Sequence, residues 1–182
     1  DVVFCDVNPK SGLMEAKHFE EALNKAISQG KKVKAVLPVH LSGQGVNLDE
    51  IALICQKHNI KIIVDGCHAI GTVNKGSNVG AEKAADMTCF SFHPVKTIAM
   101  GEGGAITTNN KELYHRLNLL RTHGITKRED LLNENHGAWY YEMHDLGYNY
   151  RLTDFQAALG NSQLKRAEDG LKRRREIAKF YL

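Results

Sequence analysis

Ile60-Lys61-Ile62-Ile63-Val64-Asp65 is a short apolar run that ends in a carboxylate. Runs of this kind are typical of strands buried on both faces, and here they alternate with helical patterns. The patterns predict strands over Val2–Cys5, Val33–Leu37 and Ile60–Val64, and helices over Ala16–Ser28 and Leu48–His58. The fold class is therefore predicted as α/β, with a mostly parallel sheet sandwiched by helices.

The rest of the chain is less regular. It predicts a polar loop over Asn74–Glu82, strands over Met87–Phe92 and Ala105–Thr108, a glycine-rich turn at Gly101–Gly104, a helix over Lys111–Arg121 and a long loop over Gly124–Ala138. A capping box at Thr153–Gln156 predicts a new helix. We therefore divide the chain into a central domain, 1–152, and a helical segment, 153–182.

Composition and charge narrow the class of protein. The 182 residues are 42% hydrophobic and 25% charged, with a net charge of +3, as in an ordinary globular domain. The basic run Lys172–Arg175 fits a solvated helix face better than a nucleic-acid site. The four cysteines, Cys5, Cys55, Cys67 and Cys89, are far apart, which favours a reducing cytoplasm. No apolar run reaches the roughly 18 to 20 residues of a membrane-spanning helix, and the first residues do not resemble a signal peptide.

Both ends of the chain resemble cuts. The chain opens without Met inside a predicted strand and stops at Phe180–Leu182 inside a predicted helix. We therefore expect an internal fragment of a longer protein.

The segment Gly43–Leu48, followed by Asp65, resembles a dinucleotide-binding pattern, in which glycines approach a pyrophosphate and an acid follows about 20 residues later. Leu48 stands where the third glycine belongs, and five residues separate the predicted strand from Gly43. Both departures weaken this interpretation.

Asp65 and Lys96 suit a pyridoxal 5′-phosphate (PLP) site better. PLP needs a carboxylate beside its pyridine nitrogen, and a strand end places Asp65 rigidly for that role. It also needs an amine that binds it covalently, and Lys96 lies between a strand and a glycine-rich turn. Ser91 could donate its hydroxyl to the cofactor phosphate, and His68 could reach the phenolic oxygen of the ring, although both residue types are also common as structural residues.

Two rivals from other classes stay open. Asp65, Cys67, His68 and His93 are suitable metal ligands, but ligands on adjacent residues of a strand end point apart. The chain could also be an inactive module that only dimerises.

Four segments together resemble the DegT/DnrJ/EryC1 family of PLP-dependent nucleotide-sugar aminotransferases: Pro38–Gly43, Val64–Ala69, Ser91–Ala105 and Leu146–Ala157. The resemblance covers nearly the whole chain. It implies the large domain of a fold-type I PLP-dependent transferase, present here in part.

The resemblance implies roles for individual residues. Lys96 would hold PLP covalently, Asp65 would pair with the ring nitrogen, His68 would contact the ring oxygen and Ser91 would bind the phosphate. Asn149 would reach the phosphate of the neighbouring subunit's cofactor, which implies a homodimer.

The implied reaction moves an amino group from glutamate to the C4 ketone of a nucleotide-linked 4-keto-6-deoxy sugar. Lys96 favours transamination, because family members that act as dehydratases carry His there. Trp139–Met143 most resembles the branch that serves pseudaminic acid biosynthesis; UDP-4-keto-arabinose and dTDP- or GDP-4-keto-6-deoxyhexoses are the alternative substrates. His93 and Arg151 are candidate substrate contacts.

The family's N-terminal phosphate loop and C-terminal small domain are missing, so we expect the isolated chain to have little activity.

Overall fold

The structure, a computed structural model, describes residues 1–181, and Leu182 lies outside the described residues. In chain order the elements are α1 (Ala16–Ser28), β1 (Ala35–Val36), α2 (Leu48–His58), β2 (Lys61–Asp65), β3 (Val73–Asn74), β4 (Ser77–Asn78), β5 (Met87–Ser91), β6 (Gly104–Thr107), α3 (Lys111–Leu120), β7 (Ile125–Thr126), β8 (Glu142–Met143), α4 (Asp154–Lys165) and α5 (Ala167–Tyr181). Short 3₁₀ helices cover Leu41–Gly43 and Glu129–Leu131.

The chain forms two compact units. The first unit contains Asp1–Asn109 and the segment from Phe155 onward, and the second contains Asn110–Asp154. The main sheet of the first unit has the strand order β1-β2-β5-β6. Its first two pairings are parallel and the β5–β6 pairing is antiparallel. The predicted α/β class with a mostly parallel sheet is therefore confirmed.

Helices α1 and α2 cover the residues that the sequence predicts, because each carries an apolar stripe at helical spacing. Helix α1 buries Phe19, Leu23 and Ala26, and α2 buries Ile51 and Ile54 among others. Except for Ala26, these side chains join Ile62 and Val64 of β2 in one core cluster. The core therefore lies between the helices and the strand that ends at Asp65.

The predicted strand at Val2–Cys5 is wrong. Residues 2–5 form no strand, and Val2 and Phe4 are 81% and 92% exposed. A run of β-branched residues becomes a strand only where another strand pairs with it, and none of residues 1–181 does so here.

Two predicted loops contain short regular elements. The hairpin β3–β4 begins at Val73, one residue before the predicted loop Asn74–Glu82, and overlaps the first part of that loop. Strand β7 and a 3₁₀ helix interrupt Gly124–Ala138. Helix α4 begins at Asp154, next to the predicted start at Thr153, and α5 runs to Tyr181, so only Leu182 of the predicted terminal helix is outside the described residues. Within residues 1–181, no helix is both long and apolar enough to cross a membrane.

Ile51→Ala is expected to lower the free energy of unfolding by about 2–5 kcal/mol, because it leaves a cavity in the core. Ile51 is fully buried, whereas Leu53 on the same helix is 61% exposed and provides a matched control, Leu53→Ala. Urea denaturation of the two variants measures the difference. Equal losses would show that α2 does not pack as described.

Candidate active site

Asp65 lies at the carboxyl end of β2, in the middle of the main sheet. Its N–H donates to Pro38 O at 2.9 Å, and its carbonyl accepts from the N–H of His40 at 3.0 Å. Its carboxylate Oδ1 accepts from the N–H of Cys67 at 3.0 Å. Because β2 pairs in parallel with β5, with Asp65 opposite Cys89, the ends of both strands meet at one edge.

Lys96 lies in the loop that joins β5 to β6. The N–H of Phe92 donates to Gly103 O at 2.8 Å and closes the loop at its base. Lys96 itself forms a turn, its N–H donating to His93 O at 2.9 Å. The buried Ile98 and Met100 anchor the loop, while Lys96 is half-buried. The sequence therefore places this amine on a well-anchored loop.

Cys67 links the two predicted residues electrostatically. Burial, together with a hydrogen bond to Asp65 and its negative charge, raises the pKa of the Cys67 thiol to about 11, against the opposing effect of the nearby Lys96 ammonium. Asp65 and Lys96 are therefore both near enough to act on the Cys67 thiol, which is protonated at neutral pH. Sequence reasoning considered Cys67 only as a metal ligand. The adjacency in Asp65-Gly-Cys-His68 was the one signal of its place in this site.

Ser91, His68 and His93 belong to the same unit. The Ser91 hydroxyl accepts from the N–H of His93 at 3.3 Å, so its own hydrogen stays able to donate. The exposed His68 accepts from the N–H of Ser42 through Nδ1 at 3.4 Å, so its neutral form carries the proton on Nε2. Nδ1 of His93 accepts from the N–H of Val95 at 3.4 Å. Both Ser91 and His68 can therefore donate to an anionic oxygen.

Helix α5 braces two loops of this unit. Leu171 packs against Gly71, where an added Cβ would collide with its Cδ1. Arg175 donates to Gly71 O at 3.1 Å, and Arg174 donates to the Thr97 hydroxyl at 3.3 Å, next to Lys96. The basic run is exposed, as predicted, but two of its arginines also bind the fold.

The glycines considered for dinucleotide binding have an internal role. A Cβ on Gly45 would collide with Cγ of Asn74, so the side chain of Asn74 fills the space that the missing Cβ leaves. The absence of a side chain at Gly45 thus serves packing within the chain. Among residues 1–181, no group of three or more His, Cys, Asp or Glu is arranged to hold a metal ion.

Asn149 and Arg151 lie in the second unit. Asn149 forms an antiparallel bridge with Thr122, and Arg151 Nη1 contacts His123 Nε2 at 2.8 Å. Tyr148 and Tyr150 stack with their ring centroids 4.7 Å apart, and both are exposed. The roles predicted for Asn149 and Arg151 stay predictions.

Glu142 organises a loop of the second unit. Its carboxylate accepts from the N–H groups of Asn133 at 2.9 Å and Glu134 at 3.1 Å. It also accepts from the Tyr140 hydroxyl at 3.1 Å and from His144 at 2.7 Å. These hydrogen bonds lower the pKa of Glu142 to about 2, and the bond from His144 has the largest effect. The negative charge of one side chain therefore orders residues 133–144.

We expect this loop to lose its order as the pH falls from 4.5, the ordinary pKa of the carboxyl, to about 2, the lowered pKa of Glu142. A lowered pKa stabilises the loop above the ordinary value, and protonation removes that stabilisation. Trp139, the only tryptophan of the chain, packs its ring edge-on against Tyr140 and reports the change by fluorescence.

Glu142→Gln should give, at neutral pH, the Trp139 fluorescence of the acidified wild type, with no further change on acidification. Glu129→Gln alters an exposed glutamate of the same unit and should behave as the wild type. Identical pH profiles of the wild type and Glu142→Gln would contradict this account.

Residues 1–182 match the DegT/DnrJ/EryC1/StrS aminotransferase family. The chain belongs to this family. The resemblance carried by the four sequence segments is therefore confirmed.

Three relatives illustrate the match. The UDP-4-amino-4,6-dideoxy-N-acetyl-beta-L-altrosamine transaminase of Campylobacter jejuni is 41% identical over 180 residues, 99% of this chain and 44% of its own length. The Helicobacter pylori aminotransferase PseC, involved in the biosynthesis of pseudoaminic acid, aligns with a TM-score of 0.75 and 33% identity over 91% of this chain and 40% of its own. A sugar aminotransferase of Streptococcus pneumoniae, solved in its PLP form, aligns with a TM-score of 0.81 and 29% identity over 98% of this chain and 46% of its own.

The chain spans about 44% of the length of the Campylobacter relative. PLP is the cofactor of the DegT/DnrJ/EryC1/StrS aminotransferases, as the PLP form of the Streptococcus protein illustrates, so the predicted cofactor is confirmed at the level of the family. The groups of the site fit PLP chemically: a carboxylate at a strand end, an amine on the adjacent loop and hydroxyl and imidazole donors at the same edge.

Proposed function

We propose that the full-length protein is a PLP-dependent aminotransferase that moves an amino group from glutamate to the C4 ketone of a nucleotide-linked 4-keto-6-deoxy sugar. The observation that carries this proposal is the parallel pairing of β2 with β5, which sets Asp65 opposite Cys89 near the end of β5, after which the loop that contains Lys96 begins, in a chain of this family.

Each residue has a distinct task. The Lys96 amine would hold the cofactor covalently and, once released, would move a proton at the reacting carbon. The Asp65 carboxylate would keep a proton on the ring nitrogen, held in place by its bond from the Cys67 N–H. Ser91 would donate to the phosphate and His68 to the ring oxygen. PLP, when bound, supplies an electron sink for the negative charge that develops on the substrate carbon.

The proposal also specifies the sugar substrate and a homodimeric assembly. The substrate named for the Campylobacter relative and the pathway named for the Helicobacter aminotransferase favour a UDP-linked sugar of the pseudaminic acid type. His93 and Arg151 would contact this sugar. Asn149 would serve the neighbouring site of a homodimer, and the enzyme would act in the cytoplasm. Residues 1–152 would form the cofactor domain, and residues 153–182 would lead toward a further domain.

Turnover by the full-length protein tests the function. The protein is loaded with PLP and given glutamate with UDP-, dTDP- or GDP-linked 4-keto sugars, and the amino sugar and 2-oxoglutarate are measured by mass spectrometry. We expect both products, formed fastest with a UDP-linked 4-keto-6-deoxy-N-acetyl sugar. A protein that takes up no PLP, stays colourless and carries zinc would contradict the proposal, while faster turnover of another sugar would correct only the substrate.

A further inference from the structure

A buried polar network lies beside the strand end that carries Asp65. His40 is fully buried and Glu82 is 6% exposed. His40 Nε2 lies 3.3 Å from Glu82 Oε2, and Asn74 Nδ2 donates to Glu82 Oε1 at 2.9 Å. The two ends of the His40–Glu82 contact are 42 residues apart in the sequence. Neither the site described above nor the proposed reaction uses these three side chains.

The hydrogen bonds determine the tautomer of His40. Its Nδ1 accepts from the N–H of Val46 at 3.0 Å, so Nδ1 carries no hydrogen. The proton of the neutral ring is therefore on Nε2, which donates to Glu82.

Glu82 must be a carboxylate in this arrangement. Burial raises the pKa of Glu82. Hydrogen bonds from His40, from Asn74 and from the backbone of Gly80 lower it by a larger amount, so the net pKa is below the ordinary value. Each carboxylate oxygen accepts from a donor that has no alternative orientation. A glutamine would satisfy one donor and would turn its NH₂ group toward the other.

The network holds the backbone that pairs with Asp65. The N–H of His40 donates to the carbonyl of Asp65 at 3.0 Å, and the N–H of Asp65 donates to Pro38 O at 2.9 Å. Asn74 adds a second link, because it also donates to Val46 O at 2.9 Å. A shift of the His40 ring therefore moves the segment on which the position of Asp65 depends.

We propose that His40, Glu82 and Asn74 are positioning residues, which hold Asp65 in place for the ring nitrogen of PLP. This inference rests on the proposed function. None of the three is among the residues proposed to contact the cofactor or the substrate, and they act through the two backbone hydrogen bonds at Asp65. Loss of the network therefore alters the binding and the spectrum of PLP, beyond its effect on folding.

Glu82→Gln in the full-length protein tests this role by PLP titration without substrate, by the pH midpoint of the visible band of bound PLP and by the melting temperature of the unloaded protein. We expect the dissociation constant for PLP to rise about tenfold, since small displacements of positioned groups have effects of at least this size. The pH midpoint should shift, because Asp65 would act less strongly on the ring.

Asp86→Asn is the matched control. Asp86 is a partly buried carboxylate beside the other end of β2, where it accepts from the N–H of Ile62 at 2.9 Å and pairs with Lys61. The substitution Asp86→Asn should lower the melting temperature but leave the dissociation constant for PLP and the pH midpoint at their wild-type values.

A Glu82→Gln protein with a lowered melting temperature but wild-type PLP binding and pH midpoint would overturn the inference. Should that variant fail to fold, Gly45→Ala displaces Asn74 through its new Cβ and must show the same spectral change. A wild type that binds no PLP would refute the proposed function, which separates the two failures.

Discussion

Lys96→Ala is expected to abolish the covalent attachment of PLP to the full-length protein and to lower kcat by about 10⁴-fold. Alanine has no amine to bind the cofactor or to move a proton at the substrate carbon. The loop should keep its structure, because it is anchored by the buried Ile98 and Met100 and closed by the bond from Phe92 to Gly103. The melting temperature of the unloaded protein should therefore change little.

Three measurements check this expectation: the visible absorbance after PLP is added, the peptide that carries PLP after borohydride reduction, and turnover. Lys83→Ala, which removes an exposed lysine of the same unit, should keep all three at the wild-type level. Covalent PLP on the Lys96→Ala protein would show that another lysine holds the cofactor.

Asp65→Asn is expected to lower kcat by about 100- to 1,000-fold while PLP still attaches to Lys96. The loss of one preorganised polar group lowers kcat by about this factor in other active sites. The amide has the size of the carboxylate and leaves the backbone bonds to Pro38 and His40 in place. It lacks the negative charge that would keep a proton on the ring nitrogen. The chemistry therefore slows although the site is assembled.

A second readout of Asp65→Asn does not depend on turnover. Since the Asp65 carboxylate contributes to the raised pKa of Cys67, its replacement should lower that pKa from about 11. The pH profile of thiol alkylation in the unloaded protein measures the shift. Asp86→Asn makes the same chemical change at the other end of β2 and should alter neither turnover nor the Cys67 profile. An unchanged kcat in Asp65→Asn would exclude the role proposed for this carboxylate.

The helices and the central strands could be predicted because their patterns are local. Helix α1 matches its predicted residues, since Phe19, Leu23 and Ala26 recur at helical spacing within one segment. Val2–Cys5 has a strand pattern that is equally clear, yet it forms no strand. The difference is that a helix satisfies its own backbone, whereas a strand depends on a partner elsewhere in the chain.

The candidate residues of the site could be named from the sequence for a related reason. Asp65 and Lys96 each follow a local signal, a strand end and a glycine-rich turn, and the family resemblance joined them. The place of Cys67 between them was not predicted. It depends on the parallel pairing of β2 with β5, which brings residues 65 and 89 opposite each other.

By itself, the sequence determined the α/β class and the family and named the candidate residues for the chemistry, because residue types and their local spacing carry that information. The tertiary structure alone decided which distant polar groups are buried together. His40 and Glu82 have no pattern in common along the chain. They pair only in the folded protein, because burial excludes water from both side chains and a buried polar group needs a hydrogen-bond partner within the protein.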